Sequence, residues 1–402
     1  MRDEIRKRIE AVRRGEVPEG YRKSGPYIIP EDWGVERLGN LSECTSRPNR
    51  DGKERPVYSV NNRNGFVPQS EQFEEGSYQG LDKSAYKIVK RGEFAYNPAR
   101  VNVGSIGRLR DAEEAAVSSL YVCVKTSNKL DGAFFDCWTK TPDFKKETLR
   151  NLEGSVREYL FFENFSNIRM PVPTIAEQQK IAEILSTCDR EIELKQKFVE
   201  ELQNLKKTCL TKMFPRKGSD VPEARFPRFT GPWEQRKLGD ILQPLPFKPY
   251  LKVPEQNGRY EIIQQGNEPI IGYADGEPCK DYENTVIFGD HTLSLYKPKT
   301  PFFVATDGVR IVKGFENMDG KYLLPLLEKN KPQSEGYKRY YSILADRDVV
   351  FTANHEEQSK IGECFEYLDN LITLHQRELE AAQQKKKSLM QLLLTGLVRV
   401  SN

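Results

Sequence analysis

Glu177-Gln178-Gln179-Lys180-Ile181-Ala182-Glu183 and Glu357-Gln358-Ser359-Lys360-Ile361-Gly362-Glu363 stand 180 positions apart, and the match runs on without a gap. Asp189 meets Asp369, Ile192 meets Ile372, Leu194 meets Leu374, Glu200 meets Glu380, and Lys206-Lys207 meets Lys386-Lys387. A second block recurs in the same order at an offset of 200: Trp33-Gly34-Val35-Glu36-Arg37-Leu38-Gly39-Asn40 and Trp233-Glu234-Gln235-Arg236-Lys237-Leu238-Gly239-Asp240. Two blocks recurring in order signal an internal duplication, beyond the general likeness of Glu/Lys/Leu-rich helices. The offsets differ by 200 − 180 = 20, so the second copy's intervening segment is 20 residues shorter.

The duplication divides the 402 residues. Residues 1–28 form a helical extension, 29–170 a variable segment, and 171–214 a long helix. Residues 215–232, with Pro215, Gly218, Pro222, Pro227, Gly231 and Pro232, have linker composition. A second variable segment covers 233–350, and 351–402 hold the second helix and a tail. Thr174 with Glu177 three residues later fits a capping box, and Pro171 and Pro173 keep the first helix from starting sooner. Thr352-Ala353-Asn354-His355-Glu356 replaces that approach in the second copy, which predicts a weaker cap there.

Apolar residues then recur with steps of three and four. Leu185, Cys188, Ile192, Val199 and Leu202 are the pairing positions of the first helix. Phe365, Leu368, Ile372, Leu379 and Leu389 are those of the second. Lys195 and His375 interrupt the series at matching places, as do Lys206 and Lys386. Each helix has ~37 residues, or about 55 Å at 1.5 Å per residue. The economical solution is an intramolecular coiled coil; a parallel pairing with a partner chain is the other arrangement.

Lys+Arg outnumber Asp+Glu by 62 − 59 = 3, so the balance neither demands nor excludes a nucleic-acid partner. The 7 cysteines include no CxxC, which reads as reduced thiols in a cytosolic protein. With 3 histidines, a structural zinc site is not expected. No apolar run approaches the ~18 residues of a membrane span, and the amino terminus does not read as a signal peptide.

The variable segments read as β-rich mixed α/β, with short strands such as Tyr86-Lys87-Ile88-Val89 and Phe302-Phe303-Val304-Ala305. Their loops suggest a polar, anionic partner. The run 97–110 offers Asn97, Arg100, Asn102, Ser105 and Arg108. The amide-rich turn Asn61-Asn62-Arg63 in copy one matches Gln264, Gln265 and Asn267 in copy two. Lys338-Arg339-Tyr340 places basic and aromatic groups together, and His291-Thr292 lies on a structural or DNA-facing loop. Arginine can read guanine and asparagine adenine in the major groove, while backbone N–H groups hold phosphates.

Enzyme signatures are missing. Gly104-Ser105-Ile106-Gly107 is not followed by the Gly-Lys-Ser/Thr of a P-loop. Asn97-Pro98-Ala99 lacks the second proline and aromatic of adenine methyltransferases, and Pro142-Asp143 lacks a nuclease's acidic-x-Lys partner. The chain is read as a non-enzyme without a catalytic or metal site.

The run 170–189, from Met170-Pro171-Val172-Pro173-Thr174-Ile175-Ala176 through Glu177-Gln178-Gln179-Lys180-Ile181, closely resembles the specificity subunits of Type I restriction-modification systems. So do the Pro30…Trp33…Leu38-Gly39 block and Phe288-Gly289-Asp290-His291-Thr292. The resemblance spans about 29–396 and implies an α+β fold. Residues 29–170 and 233–350 would be β-rich target recognition domains in tandem repeat. The two long conserved helices would form an antiparallel coiled coil, with pseudo-two-fold symmetry. Each domain would read one half of a split, asymmetric DNA site, and the helix pair would fix a spacer of at most about 16 base pairs at 3.4 Å each. Implied partners are double-stranded DNA, two methyltransferase subunits and restriction/translocase subunits, with anti-restriction proteins as further candidates. S-adenosylmethionine, ATP and Mg²⁺ would act on partner subunits, none on this chain, in the cytoplasm. The resemblance does not explain residues 1–28. The alternatives are a coiled-coil protein-interaction scaffold and a self-sufficient nuclease or methylase.

Exchanging residues 40–168 for another such domain is expected to change one half-site only. Base preferences mapped on a randomised duplex check this, and a change in both halves would contradict modular reading.

Overall fold

The computed structural model describes residues 2–51, 53–62, 65–69, 83–154, 158–315 and 318–400. The chain forms two compact units, Met1–Glu193 with Glu380–Asn402, and Leu194–Leu379. The first holds α1 (Arg2–Arg13), α2 (Leu38–Leu41), α3 (Gly132–Trp138), α4 (Pro142–Arg150), α5 (Phe162–Phe165) and the first half of α6 (Ile175–Lys212). The second holds the rest of α6, α7 (Leu238–Ile241), α8 (Gly320–Asn330), α9 (Tyr341–Ala345) and most of α10 (His355–Leu393). Among the described residues no helix is long and apolar enough to cross a membrane.

The duplication reappears in the sheets. In the first unit a four-stranded antiparallel sheet runs in the order Ile106–Arg108, Phe94–Tyr96, Val122–Thr126, Ser42–Thr45. In the second the order is Leu295–Tyr296, Thr285–Gly289, Val309–Gly314, Leu242–Leu245. The strand leading out of each Trp block pairs with the strand entering each long helix: Gly34–Arg37 with Arg169–Val172, and Glu234–Lys237 with Asp348–Phe351. The accessory sheets differ. The first unit's joins Glu114–Val117, Lys87–Lys90 and Arg47–Pro48 antiparallel, whereas in the second unit Tyr260–Ile263 lies parallel to Phe302–Val304.

Aromatic residues fill both cores. Phe94, Phe134, Phe135, Trp138 and Phe165 pack in the first unit against Ile181 and Leu185 of α6 and Leu393 of α10. Phe214, Trp233, Tyr322, Phe365 and Phe288 pack in the second. Leu185 and Phe365 are therefore core residues as well as helix-pair residues. Cys188, Val199, Leu202, Leu368 and Leu379 are buried on the helix pair, and Ile192, Ile372 and Leu389 half-buried.

The polar interruptions have partners across the pair. In the first unit Lys386 bonds Asp189. In the second, Lys206 lies 2.7 Å from Asp369 and Lys195 3.0 Å from Glu378, while the Phe198 ring meets His375 edge-on at 4.7 Å. Partner numbers on α10 fall as those on α6 rise, so the helices pair antiparallel within each unit. Asp189–Lys386 and Lys206–Asp369 are the same contact made by opposite copies, because 189 + 180 = 369 and 206 + 180 = 386.

The helix starts are fastened alike. Glu177 N–H donates to Thr174 Oγ1 at 3.3 Å, and Glu357 N–H to Asn354 Oδ1 at 3.0 Å. The weaker cap expected for the second helix is corrected: Asn354 occupies the capping position, and asparagine caps as well as threonine. Gln178 accepts from Asp131 N–H at 2.8 Å and so holds the start of α3; Gln358 accepts from Asp319 N–H at 3.1 Å and holds the start of α8. Glu177 is buried and takes Trp33 Nε1–H at 3.0 Å and Arg399 Nε–H at 2.8 Å. Glu357 is buried and takes Arg225 Nε–H at 2.6 Å and the Thr352 hydroxyl at 2.7 Å.

Two further segments are tied into the units. Residues 215–232, of linker composition, are packed: Pro215 is buried, Ala224 N–H donates to Lys212 O at 2.8 Å, and Arg225 locks Glu357. The amino-terminal extension holds the carboxy-terminal tail. Arg8 donates to Leu397 O at 2.8 Å and Tyr21 Oη to Gly396 O at 2.6 Å.

Removing one member of a buried ion pair typically costs 3–5 kcal/mol, because the other charge stays buried unpaired. Glu357→Ala is therefore expected to lower unfolding free energy by about 3 kcal/mol or more in urea titration. Glu363→Ala, which breaks the exposed Lys360 pair, should change it by less than about 1 kcal/mol. Equal effects would contradict the role assigned to Glu357.

Candidate nucleic-acid interface

In the first unit the hairpin Tyr58–Asn61/Gly65–Pro68 leans on the run 97–110. The Ser105 hydroxyl donates to Val60 O at 2.6 Å. Gly104 has φ +95°, a left-handed conformation, and a side chain there would begin 3.5 Å from Asn62 Cβ. A Cβ on Gly107 would lie 3.0 Å from Gly65 Cα and 3.2 Å from Phe66 N, so the two backbones cross closely there, and Gly65 takes φ +67°. A cleft of about 710 Å³ results, lined by Asn61, Asn62, Asn102 and Arg108. Arg110, Lys140 and Lys145 share its walls. Arg110 and Lys140 both pair with the buried Asp136, which fixes their stems.

Not every residue proposed from the sequence is free to face a ligand. Ser105 is buried and spends its hydroxyl on Val60, so its role as a contact is corrected to that of a brace. Asn97 Oδ1 accepts Ala99 N–H at 3.0 Å, a local turn outside the cleft lining. Arg108 is half-buried and its Nε donates to Gly92 O at 3.3 Å. Asn62 and Arg100 are exposed, and Asn102 is half-buried. Arg63 lies outside the described residues.

In the second unit one buried carboxylate organises the loops. Asp290 accepts Arg310 Nε–H at 3.1 Å and Tyr341 N–H at 2.8 Å. Gln265 accepts His291 N–H at 3.0 Å, and His291 Nδ1 lies 3.1 Å from Lys338 O. Thr292 is exposed and shares a 2.8 Å hydroxyl contact with Ser294. Thus Gln265, His291, Thr292, Lys338 and Arg339 converge, although 74 residues separate the first from the last. Gln264 bridges its own turn through Glu268 O, and Asn267 is exposed beside it. Tyr340 is corrected: its ring is wholly buried in the core, so Lys338-Arg339-Tyr340 is not one basic-aromatic surface. The sequence reading counted Arg110 among the three arginines of the run 97–110 but did not single out Tyr337 or Arg310, the latter on a strand with no motif around it.

A larger cleft of about 1100 Å³ in the second unit is lined by Lys206, Lys297, Lys321 and Lys331 together with Glu328, Glu366 and Asp369. Burial pulls the Lys297 amine down to about 8, and it donates to Tyr282 O at 2.6 Å. All seven cysteines are free thiols; burial pushes Cys123 up to about 12 and Cys137 to about 11, which keeps them unreactive. Among the described residues no three His, Cys, Asp or Glu side chains converge as a metal site.

Ser105→Ala is expected to cost about 1–2 kcal/mol of stability by leaving Val60 O without its donor. Arg100→Ala, on an exposed side chain, should fall within about 0.5 kcal/mol of the parent. Thermal unfolding of both variants checks the assignment, and the reverse order would contradict it.

The family profile described as the Type I restriction modification DNA specificity domain matches residues 30–204. The chain is 25% identical over 430 positions to the Type I restriction enzyme MjaVIII specificity subunit of Methanocaldococcus jannaschii, covering 96% of this chain and 97% of that one. It is 22% identical to the putative type I restriction enzyme MjaX specificity subunit of the same organism, over 95% and 97%. The fold is similar to the Type-I restriction-modification system S subunit from M. genitalium, at TM-score 0.61 and 14% identity over 92% of this chain and 97% of that chain. A chain solved in work on the complex assembly and conformational transition of the type I R-M system gives TM-score 0.50 at 13% identity, over 93% and 100%. Residues 30–204 match the Type I restriction modification DNA specificity domain, and nearly the whole chain is similar, in sequence and in tandem fold, to full-length Type I restriction-modification specificity subunits.

Proposed function

We propose that this chain is the DNA-sequence-reading, non-catalytic component of a Type I restriction-modification complex, each unit reading one half of a bipartite site. The observation that carries the reading is a contrast between the units. Their four-stranded sheets and helix-start locks are alike, while their polar loops differ. The shared parts are scaffold and the differing parts are address, so the half-sites should differ and the site should be asymmetric. The family match leaves the protein-scaffold alternative without support.

The first unit's readers are Asn61, Asn62, Asn102 and Arg108, with Arg63 and Arg100 beside them; Arg110, Lys140 and Lys145 supply phosphate contacts. The second unit's readers are Gln265, His291, Thr292 and Arg339, with Asn267 and Lys338 at the rim. Base-edge contacts specify and phosphate contacts position. A net charge of +3 suits a subunit whose grip on DNA is shared with partners. Those partners would be two methyltransferase subunits and, in the restriction form, translocating nuclease subunits, in the cytoplasm. S-adenosylmethionine, ATP and Mg²⁺ would act on them.

The helix pair would set the number of unread base pairs between the halves. A heptad added to both helices adds about 10 Å, or about 3 base pairs. Matched insertions in α6 and α10 should lengthen the gap by about that much, measured as protection of DNA ladders with graded spacers by the assembled complex. A single insertion breaks the Lys–Asp register and should abolish protection. An unchanged gap after matched insertions would contradict the reading.

A further inference from the structure

We propose that Tyr337 is a specificity-determining contact of the second unit, its ring set by His291, and that Asp290 is the positioning residue of the loop that presents it. This deepens the DNA-reading assignment and rests on it.

Tyr337 is 87% exposed, yet it is not a loose side chain. Its ring stacks on the His291 imidazole with centroids 4.5 Å apart and planes 5° from parallel. The backbone beneath it is closed on both sides. Glu335 N–H donates to Tyr340 Oη at 2.7 Å, and Tyr340 Oη donates to Gly336 O at 2.7 Å. Gly336 takes φ +95°, which turns the chain outward just before Tyr337. Beyond Tyr337, Tyr340 N–H donates to Asp290 O at 2.8 Å and Tyr341 N–H to Asp290 Oδ1 at 2.8 Å. Asp290 is wholly buried, and Arg310 and Arg339 face its other oxygen at 3.1 and 3.8 Å. The buried Tyr340 and Asp290 thus fix a loop whose outward groups are an aromatic ring and the half-exposed Arg339 guanidinium.

That pairing fits nucleic acid. A tyrosine with its ring already held gives a large amphipathic contact at low conformational-entropy cost. One ring face is taken by His291, so the other face, the edge and the hydroxyl remain to meet a base in a groove, where apolar contact and hydrogen bonding both discriminate bases. The adjacent guanidinium supplies bidentate recognition of guanine or phosphate.

The test uses the chain assembled with its methyltransferase subunits, on duplexes in which each base pair of the recognised site is replaced in turn. Tyr337→Ala should weaken binding to the intact site at least tenfold. It should also flatten discrimination at one or two adjacent base pairs of one half-site, the other half being unchanged. Asp290→Asn should flatten the same positions, and Tyr337→Ala, on an exposed side chain, keeps the test decisive if Asp290→Asn does not fold. Parental affinity and discrimination for Tyr337→Ala would overturn the proposal, as would a loss spread over both halves. A parental complex that prefers no bipartite sequence would overturn the DNA reading itself.

Discussion

A buried carboxylate at the start of each long helix is the constraint around which each unit is built. Glu177 and Glu357 lie where an uncompensated charge would be costly, so each must be met by a cation and hydrogen-bond donors. Arg399 meets the first from 222 residues away and Arg225 the second from 132. Each lock joins the helix start to the segment that follows the other long helix. The neighbouring glutamines, Gln178 and Gln358, then reach back to the first turn of α3 and α8. Scaffold chemistry is thereby concentrated at the helix starts, away from the loops that differ between the units.

Helix pairing follows the same economy. A strict apolar seam would pair equally well in several registers, whereas a lysine aimed at an aspartate accepts one. The contacts Asp189–Lys386 and Lys206–Asp369 use one residue type per copy twice over, so the duplication itself supplies complementary charges for the antiparallel arrangement. The interruptions at Lys195 and His375 are likewise occupied, by Glu378 and by a perpendicular contact with the Phe198 ring.

Much of this was legible in the sequence because it is periodic or repeated. The blocks at offsets 180 and 200 located both long helices, and the capping threonine of the first stood in plain view. What stayed hidden depends on partners distant along the chain. Nothing local marks residues 215–232 as packed, because the feature that packs them is Arg225 finding Glu357. Nor does anything in residues 1–28 announce that Arg8 and Tyr21 will hold the tail. In the candidate interface, Lys338-Arg339-Tyr340 has the same composition whether the ring points in or out. Only the core around Phe288 and Leu344 decides that Tyr340 is inside and Tyr337 outside. Ser105 was selected for its polarity and proves to be a brace; Asn62 and Arg100 are exposed where the loop turns outward.

Two scaffolds that match and two sets of loops that do not make a claim about DNA: one chain holds two different addresses. Sequencing of the modified adenines in DNA from cells carrying this chain with its methyltransferase subunits tests it most directly. The expected motif has two dissimilar specified blocks separated by a gap of fixed length. A single uninterrupted block, two identical blocks, or a gap that varies from site to site would contradict it.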